Sequence, residues 1–438
     1  MDHAIILAAG FGIDGESLEN YINIEYCSVD HLKRLVITAQ RAGIKKFTII
    51  SEIGAPSLTQ ALGSDKRITS KVDFRTLESS IDIDPGKFLL LQSNILTTPS
   101  ALSEFLNTDL PEDSISILVD RKKDGWVKLQ GENVADSYLD GAISVGAFIL
   151  GSEILQKFLK HPSSLASLVN DLLKERKVFY KEFRDGYWMR LSTEEGSIKR
   201  AEDLIFSHVG KTATGWISRK INSRFSLPTS RLLIKTPLTP NMISILINVI
   251  GVLCGPFYIL GHPVIGALFM YIATVLDRCD GEVARIKLME TKKGQWVDTI
   301  SDQFTVLSFL IGVPVGYYLI NGNHIVLIIG AINISIFIFF LCWSFYFLVK
   351  YTNSGSLASY FEVDDIIGEG NTTLLKKIIL FVRPLGRRNV YSMGILVVAI
   401  IGGYPWVLFF VTLASLLFLA HQVEDIFKLR KIKHTKLS

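Results

Sequence analysis

Cysteine is scarce in this sequence and forms no recognisable motif. Only four cysteines occur among 438 residues, at Cys27, Cys254, Cys279 and Cys342, and no two of them make a CxxC pair. This excludes a disulfide scaffold and a zinc site of the usual spacing, so we interpret the thiols as reduced. Metal sites built from thiolates normally use several cysteines, so a single one near other candidate ligands does not indicate zinc.

An excess of charge is also missing. Lys and Arg number 46 and Asp and Glu 42, which gives a formal net charge of +4 at pH 7. This balance is too small to indicate a nucleic-acid partner, and we predict none. The opening residues MDHAIILAAG lack the basic stretch of a secretory signal peptide, so no cleaved leader is predicted.

Apolar residues, by contrast, are abundant and unevenly spread. They make up 49% of the chain, and long apolar runs begin near residue 240. A helix needs about 20 mostly apolar residues to span a bilayer. Six runs are predicted to do so, at about 241–260, 263–285, 294–320, 325–349, 388–403 and 405–424. The second half is therefore predicted to be an all-α transmembrane domain of six helices.

The first 205 residues alternate short β-rich runs with helical stretches. Runs rich in β-branched and large apolar residues predict strands at 3–8, 46–51, 88–94, 115–120 and 142–150. Helical stretches lie between several of them, such as residues 28–43, which end at a glycine as helices often do. This alternation predicts a Rossmann-like α/β domain with a mostly parallel sheet.

The predicted organisation has four parts. Residues 1–205 form the α/β domain, 206–236 a basic amphipathic juxtamembrane segment, 237–425 the membrane domain and 426–438 a basic cytoplasmic tail. In the juxtamembrane segment, basic residues alternate with apolar ones, as in helices that lie on an anionic membrane surface. A solvated basic linker is the alternative.

Lys and Arg fall on alternate connections between the six spans. The turns near residues 259–264, 319–325 and 401–405 contain neither. The other connections and the tail hold the basic residues Arg285, Lys287, Lys292, Lys293, Lys376, Lys377, Arg383, Arg387, Arg388, Lys428, Arg430, Lys431, Lys433 and Lys436. The positive-inside rule places that side in the cytoplasm. We therefore predict an integral protein of the cytoplasmic membrane, with both termini and the acidic motif described next on the cytoplasmic side.

Four aspartates lie among apolar sequence in residues 276–302, at Asp277, Asp280, Asp298 and Asp302. The first two are three residues apart and the last two are four apart, so each pair shares one helix face. A carboxylate at the bilayer centre costs about 2.5–3.5 kcal/mol, and neither face carries a balancing cation. Carboxylate oxygens suit hard cations, so the motif predicts a site for Mg²⁺, Mn²⁺ or Ca²⁺. A proton relay or an ion-transport site is the alternative.

Small residues occupy the same two faces. Gly281, Ala284 and Gly294 leave the predicted groove nearly bare of side chains, which permits a ligand to approach the backbone closely. Carboxylates beside a bare groove favour a metal–diphosphate ligand, because a metal can bridge phosphate oxygens during a phosphoryl-type substitution.

Residues 277–302 read D-x2-D-G-x2-A-R-x8-G-x3-D-x3-D, which resembles the signature of the CDP-alcohol phosphotransferase family. The resemblance covers roughly residues 236–425. The segment 236–244, TPLTPNMIS, is similar to the family's short Pro-Asn segment, with Asn241 and Ser244 at its recurrent polar positions. The resemblance implies a membrane enzyme in which an acceptor alcohol attacks the β-phosphorus of a CDP-alcohol and CMP leaves.

The same resemblance implies a role for each residue of the motif. Asp277, Asp280 and Asp298 would hold the metal that grips the diphosphate, and Asp302 would contact a second metal or act as general base on the acceptor. Mg²⁺ or Mn²⁺ is expected, and so is a homodimer. The residues expected to contact or make room for the donor are Asn241, Gly281, Ala284, Arg285 and Gly294. Arg285 is equally well explained as a cytoplasmic-side anchor.

The first domain carries a second resemblance. ILAAGFGIDG, residues 6–15, resembles the start of sugar-nucleotide and inositol-phosphate nucleotidyltransferases, and residues 188–204 resemble their closing segment. The two halves together are similar to the bifunctional inositol-phosphate cytidylyltransferase/di-inositol-phosphate phosphate synthases.

The first domain departs from that pattern where its chemistry belongs. Ile13 and Asp14 replace a basic residue, no metal-binding aspartate occurs near residues 92–94, and Arg190 and Ser192 stand in place of a late Asp-x-Asp. Cations and carboxylates stabilise the transferring phosphoryl group. The domain is therefore predicted to be a degenerate nucleotidyltransferase-like fold.

The predicted function is a membrane CDP-alcohol phosphotransferase that uses a donor of the CDP-diacylglycerol or CDP-inositol type. Its partners would be that donor, an acceptor alcohol and the lipid bilayer. An inositol phosphate is a candidate acceptor, because basic residues occur near the predicted groove, although these could equally face lipid headgroups. They are Arg224, Arg231, Lys235, Arg387 and Arg388. The alternatives are a bifunctional enzyme with an active cytidylyltransferase domain, or an ion carrier or scaffold.

Overall fold

A computed structural model describes residues 1–10, 17–51, 62–76, 85–120, 143–160, 165–211, 218–351 and 388–435 of the chain. Its contacts divide the chain into two compact units, Met1–Val209 and Gly210–Ser438. Each unit is described separately below.

The first unit is built on a seven-stranded sheet. The strands of this unit, including two short two-stranded ribbons, are β1 His3–Leu7, β2 Glu25–Tyr26, β3 Val29–Asp30, β4 Lys46–Ile50, β5 Lys71–Arg75, β6 Lys87–Gln92, β7 Ile95–Thr97, β8 Ile115–Asp120, β9 Ile143–Gly151, β10 Val178–Glu182 and β11 Trp188–Arg190. The large sheet has the order β10-β8-β9-β6-β1-β4-β5. Only β9 runs antiparallel to its neighbours in this sheet, so the prediction of a mostly parallel α/β sheet is confirmed.

Helices cover both faces of this sheet. Those of the first unit are α1 His31–Arg41, α2 Pro99–Leu106, α3 Ser152–Lys160, α4 Leu165–Lys174 and α5 Ser197–Lys211. Successive residues of a strand point to opposite faces, and accordingly Ile5 packs in the core with α3 and α4, whereas Ile6 packs in the core with α1 and α2. Because both faces are buried, the central strands are continuously apolar, and this is why their sequences predicted them.

The second unit contains long helices in the positions of the predicted spans. Its helices are α6 Ser223–Leu233, α7 Pro240–Val252, α8 Cys254–Ile259, α9 Pro263–Leu276, α10 Arg278–Ile286, α11 Lys292–Asn321, α12 His324–Tyr351 and α13 Arg388–Thr435. Among the described residues, four segments are long and apolar enough to cross a membrane by length and composition: Pro240–Ile259, Lys292–Asn321, His324–Lys350 and Arg388–Leu417. The apolar helix α9 is only 14 residues long. The number of membrane crossings therefore stays a prediction.

The chain reverses direction inside α13. Gly403 has φ 61° and ψ −148°, which no helix contains. The first segment reaches the far end of α11, where the ring of Tyr404 stacks on that of Tyr317 at 5.7 Å between centroids. The second segment returns along α12, since Gln422 donates a hydrogen bond to the carbonyl of Phe340. Two antiparallel helical segments therefore occupy the positions of the last two predicted spans.

Glycines bring the first and third predicted spans into backbone contact. A Cβ atom at Gly312 of α11 would lie 2.6 Å from the Cα atom of Gly255 in α8, closer than any real side chain tolerates. Helices in membranes use such small residues to pack closely. This contact fixes α7 and α8 against α11, so the polar side chains of α7 lie beside the aspartates of α11.

Candidate metal centre

Three of the four predicted aspartates converge. Asp277 lies at the junction of α9 and α10, and Asp298 and Asp302 lie one turn apart on α11. One carboxylate oxygen of each lies within 4.8 Å of the others. Three oxygen ligands at this separation fit a hard divalent cation after small side-chain movements.

The fourth aspartate is held beside this group. Asp280 is 6% exposed, and its carboxylate accepts hydrogen bonds from the hydroxyl of Ser244 in α7 and from the backbone N–H of Gly281. It also contacts Asp298. The sequence analysis treated all four aspartates as metal ligands, whereas here Asp280 lies outside the converging group of three.

A basic residue balances part of the acidic charge. Nη1 of Arg388, in the first turn of α13, donates to Asp277 Oδ1 at 2.8 Å and also forms an ion pair with Asp302. The sequence analysis found no balancing cation because it considered only the two faces that carry the aspartates. The cation comes instead from a helix that starts 111 residues after Asp277.

One carboxylate oxygen in the cluster has no partner. Oδ1 of Asp298 is buried and receives no hydrogen bond from any residue that the structure describes. An unpaired buried carboxylate oxygen is costly, and a bound cation would remove that cost. The all-oxygen donor set and this unpaired atom both fit Mg²⁺ or Mn²⁺ better than a soft metal.

Asn248 of α7 fixes the position of Asp302. Its side-chain nitrogen lies 3.3 Å from Asp302 Oδ1 and 3.1 Å from the hydroxyl oxygen of Ser301, and its carbonyl oxygen accepts from Thr305 at 3.0 Å. The sequence analysis missed this residue. Its signal is a lone asparagine in an apolar span, a residue that is costly there unless it is hydrogen-bonded.

Other side chains lie close to the two glycines of the motif, Gly281 and Gly294. A Cβ atom at Gly294 would lie 3.1 Å from Oδ1 of Asn241. The guanidinium of Arg285 lies across Gly281, and its Nε is buried with no hydrogen-bond partner. Ala284 is half-buried on the same helix as Gly281. The structure thus brings together two pairs of the predicted donor-contacting residues, Gly294 with Asn241 and Gly281 with Arg285.

Glu282 joins the aspartate helix to the juxtamembrane helix α6. Its carboxylate is fully buried and accepts hydrogen bonds from Ser226 at 2.8 Å, Ser230 at 2.7 Å and Arg278 at 3.0 Å. The sequence analysis did not single out this residue, because it occupies an unspecified position of the motif. It sets the position of α10, which carries Asp280.

The juxtamembrane helix α6 buries its serines and exposes its large apolar residues. Phe225 is 60% and Leu232 69% exposed, and the basic side chains of Arg224 and Arg231 are exposed as well. In a soluble protein this arrangement would be unfavourable, whereas a helix at a membrane surface places apolar and basic side chains toward the lipid.

In the first unit, the buried side chain of His31 is hydrogen-bonded next to the carboxyl end of β6. Nδ1 of His31 accepts from the hydroxyl of Tyr26 at 2.8 Å, and Nε2 donates to the carbonyl of Ser93 at 2.5 Å. Burial lowers the pKa of His31 to about 4. Arg190 donates to the carbonyl of Ser144 at 2.9 Å. The departures at residues 13 and 14 lie outside the described residues.

A protein-family model matches most of the second unit. Residues 237–428 match the family model described as CDP-alcohol phosphatidyltransferase. This range contains all four aspartates and Arg388.

Curated relatives extend the similarity into the first unit. The bifunctional IPC transferase and DIPP synthase of Thermococcus kodakarensis is 27% identical over 371 residues, which covers 76% of this chain and 81% of the relative. The protein of the same name from Aquifex aeolicus is 23% identical and covers 71% of this chain and 76% of its own length. Both matches cover more of the chain than the second unit contains.

Solved structures with some similarity are nucleotidyltransferases. The inositol-1-phosphate CTP transferase from T. maritima has 15% sequence identity and a TM-score of 0.36, over 47% of this chain and 96% of that chain. A putative glucose-1-phosphate thymidylyltransferase from Bacillus anthracis has 15% identity and a TM-score of 0.35, over 50% of this chain and 96% of that chain.

Proposed function

We propose that this transferase, whose residues 237–428 form a CDP-alcohol phosphatidyltransferase domain, carries out its reaction at the aspartate cluster of α10 and α11. A substituted phosphoryl group would pass from a CDP-alcohol to an acceptor alcohol, with release of CMP. The observation that carries the proposal is the convergence of Asp277, Asp298 and Asp302 within 4.8 Å, next to a buried oxygen without a partner.

The metal would be Mg²⁺ or Mn²⁺, held by Asp277, Asp280 and Asp298, and Asp302 would contact a second metal or act as general base. A bound divalent cation supplies neutralisation of charge on the donor diphosphate. The side chains do the rest of the binding. Ser244 keeps Asp280 in place, and Arg285 and Asn241 offer polar groups at the glycine positions where the donor would approach.

Asp302 would take the proton of the acceptor hydroxyl. As that proton leaves, a bond forms between the acceptor oxygen and the β-phosphorus, and the bond from the β-phosphorus to the bridging oxygen breaks. CMP departs with the bridging oxygen. Asn248 holds Asp302 at the position from which this transfer occurs, as a general base must be held within hydrogen-bond reach.

For the substrates we propose an inositol phosphate as acceptor, with CDP-inositol or CDP-diacylglycerol as donor. The names of the curated relatives support this choice, since each describes an IPC transferase and DIPP synthase. Arg388 supplies a cation at the cluster, and Arg224 and Arg231 supply exposed cations on α6.

The same proposal includes the setting of the site. The long apolar helices support a membrane protein, and the alternation of basic and uncharged connections supports cytoplasmic termini and a cytoplasmic active site. We further propose a homodimer in the bilayer, with residues 1–205 as a degenerate nucleotidyltransferase-like domain and 206–236 at the membrane surface.

Product analysis by mass spectrometry tests the substrates. Purified protein would be incubated with CDP-inositol or CDP-diacylglycerol and a panel of alcohols that includes inositol phosphate. We expect a phosphodiester of one donor with inositol phosphate, and none from the Asp298→Asn variant. Glu290→Gln, which changes an exposed acid between α10 and α11, is the matched control and should keep the activity. Absence of any phosphodiester from the wild type would refute the proposal.

A second candidate function is cytidylyltransferase activity of the first unit. The similarity to bifunctional relatives extends into this unit and favours it. The missing catalytic cations and carboxylates oppose it. The full-length Asp302→Asn variant, incubated with CTP and inositol phosphate, separates the two activities. Release of diphosphate would show that the first unit is active, and its absence would support degeneracy.

A further inference from the structure

We infer that Arg388 is an internal counter-cation of the aspartate cluster, and that a divalent cation must displace it from Asp277 and Asp302 in order to bind. This inference rests on the proposed function, because it assumes that the cluster holds a metal. It adds a role for a residue that the acidic motif does not contain.

The position of the guanidinium carries the inference. Nη1 of Arg388 binds Oδ1 of Asp277 at 2.8 Å and forms an ion pair with Oδ1 of Asp302. These two aspartates are members of the converging group of three. A cation that bound both carboxylates would compete with Nη1 for the same oxygen lone pairs. The two positive charges would also repel each other at this distance, so Arg388 and the metal compete for the same pair of carboxylates.

Charge explains why such a residue is present. Without a metal, the three converging carboxylates would repel one another in a partly buried site whose exposed fractions are 24% for Asp277 and 19% for Asp302. One guanidinium reduces this repulsion through strong charge-assisted hydrogen bonds. Arginine cannot lose its charge in a protein, so the guanidinium can leave the cluster only by moving.

The guanidinium also has an unused donor. Nη2 of Arg388 is buried and has no hydrogen-bond partner among the residues that the structure describes. This donor could bind an acceptor other than the two aspartates.

Binding of Mn²⁺ alone, measured by electron paramagnetic resonance on the full-length protein in detergent, tests this inference without substrate. We expect Arg388→Gln to bind Mn²⁺ about tenfold more tightly than the wild type. The substitution removes the guanidinium that competes with the metal, and a charge-assisted hydrogen bond contributes enough free energy to account for a tenfold change in affinity. Arg388→Lys keeps the charge and should remain within about threefold of the wild type. Lys293→Gln removes an exposed charge near the beginning of α11 and should also bind like the wild type.

The outcomes separate the two claims. Equal or weaker Mn²⁺ binding by Arg388→Gln would overturn the inference, as would a matching gain in Lys293→Gln, which would show a general field effect. If the wild type binds no Mn²⁺, the metal site of the proposed function fails instead.

A measurement on the wild type tests the same inference even if an Arg388 variant does not fold. Phenylglyoxal modifies accessible arginines, and peptide mass spectrometry locates the product. Addition of Mn²⁺ should increase modification at Arg388 by several fold relative to Arg278, which stays bonded to Glu282. An unchanged or reduced modification of Arg388 would count against displacement.

Discussion

Asp302 has two neighbours with different effects on its chemistry. Arg388 forms an ion pair with its carboxylate, whereas Asn248 mainly fixes its position. The second effect is the easier one to isolate, because Asn248 is neutral and lies in α7, away from the other aspartates of the converging group. A substitution there tests whether Asp302 needs to be held.

Replacing Asn248 by alanine should lower kcat about tenfold and leave the KM for the donor within about twofold, since positioning of a catalytic group contributes mainly to the transition state. Steady-state measurement of CMP release checks this. Asn323→Ala, in the turn between α11 and α12, is the control and should show neither change. A rise in KM with unchanged kcat would mean that Asn248 binds substrate instead.

His31 makes the stability of the first unit depend on pH. Burial lowers its pKa from 6.5 to about 4, so the folded state keeps it neutral while the unfolded chain binds a proton below about pH 6.5. Stability is therefore lost as the pH falls from about 6.5 to about 4, by up to about 3 kcal/mol. Hydrogen exchange of peptides from β1 and β6 at pH 7 and pH 5 measures this loss, and His31→Gln should flatten it. Equal protection of the wild type at both pH values would exclude the effect.

At the scale of elements, the apolar pattern of the sequence predicts the central strands of the sheet but not its edge strands. The five predicted strands are present because the central strands are buried on both faces and therefore continuously apolar. β5 and β10 were not predicted. Both are sheet edges, and their sequences KVDFR and VFYKE mix charged and apolar residues as edge strands do to avoid further pairing. Such a pattern does not distinguish an edge strand from a loop.

The contact between α6 and α10 depends on Glu282. We expect Glu282→Ala to destabilise the second unit by about 3 kcal/mol, because it leaves two buried serine hydroxyls and the half-buried Arg278 guanidinium without this acceptor. Glu282→Gln keeps the volume and should cost less. Thermal denaturation in detergent gives the ranking, with Glu290→Gln as the exposed control. If Glu282→Ala were as stable as the control, α6 would not depend on this carboxylate.

The reversal at Gly403 tests the separation of the last two predicted spans. Its φ of 61° and ψ of −148° belong to a region that is essentially reserved for glycine. Gly403→Ala should cost about 1–3 kcal/mol. Gly322 has φ 65° and ψ 6°, a left-handed conformation that other residues adopt more readily, and neither glycine has an atom within 4 Å of an added Cβ. Gly322→Ala should therefore cost less in the same melting experiment, and the opposite order would argue against a reversal at Gly403.

At the scale of the whole molecule, the parts of the site that lie close in sequence could be predicted. The spacing of the aspartates within 26 residues placed each pair on one helix face. The partners that come from other helices could not be predicted, because no local period connects them to the motif. Arg388, Asn248 and Ser226 reach the motif from three different helices, and only the packing of α6, α7 and α13 brings them there.

The division into two units could also be predicted only in part from local sequence. Composition separates a mixed first half from an apolar second half, so the change near residue 235 is visible in the sequence. The predicted boundary at residue 205 nevertheless lies inside α5, which extends to Lys211. A change of composition shows where a membrane domain begins, but it does not show where the last helix of a preceding domain ends.

The measurement that bears most directly on the account is CMP release from a CDP-alcohol by the purified full-length protein, before and after removal of divalent cations with EDTA. The account predicts that EDTA abolishes release, that Mg²⁺ or Mn²⁺ restores it, and that Asp298→Asn has less than about one hundredth of the wild-type rate even with metal present. Release that persists in EDTA, or an Asp298→Asn variant that works like the wild type, would contradict it.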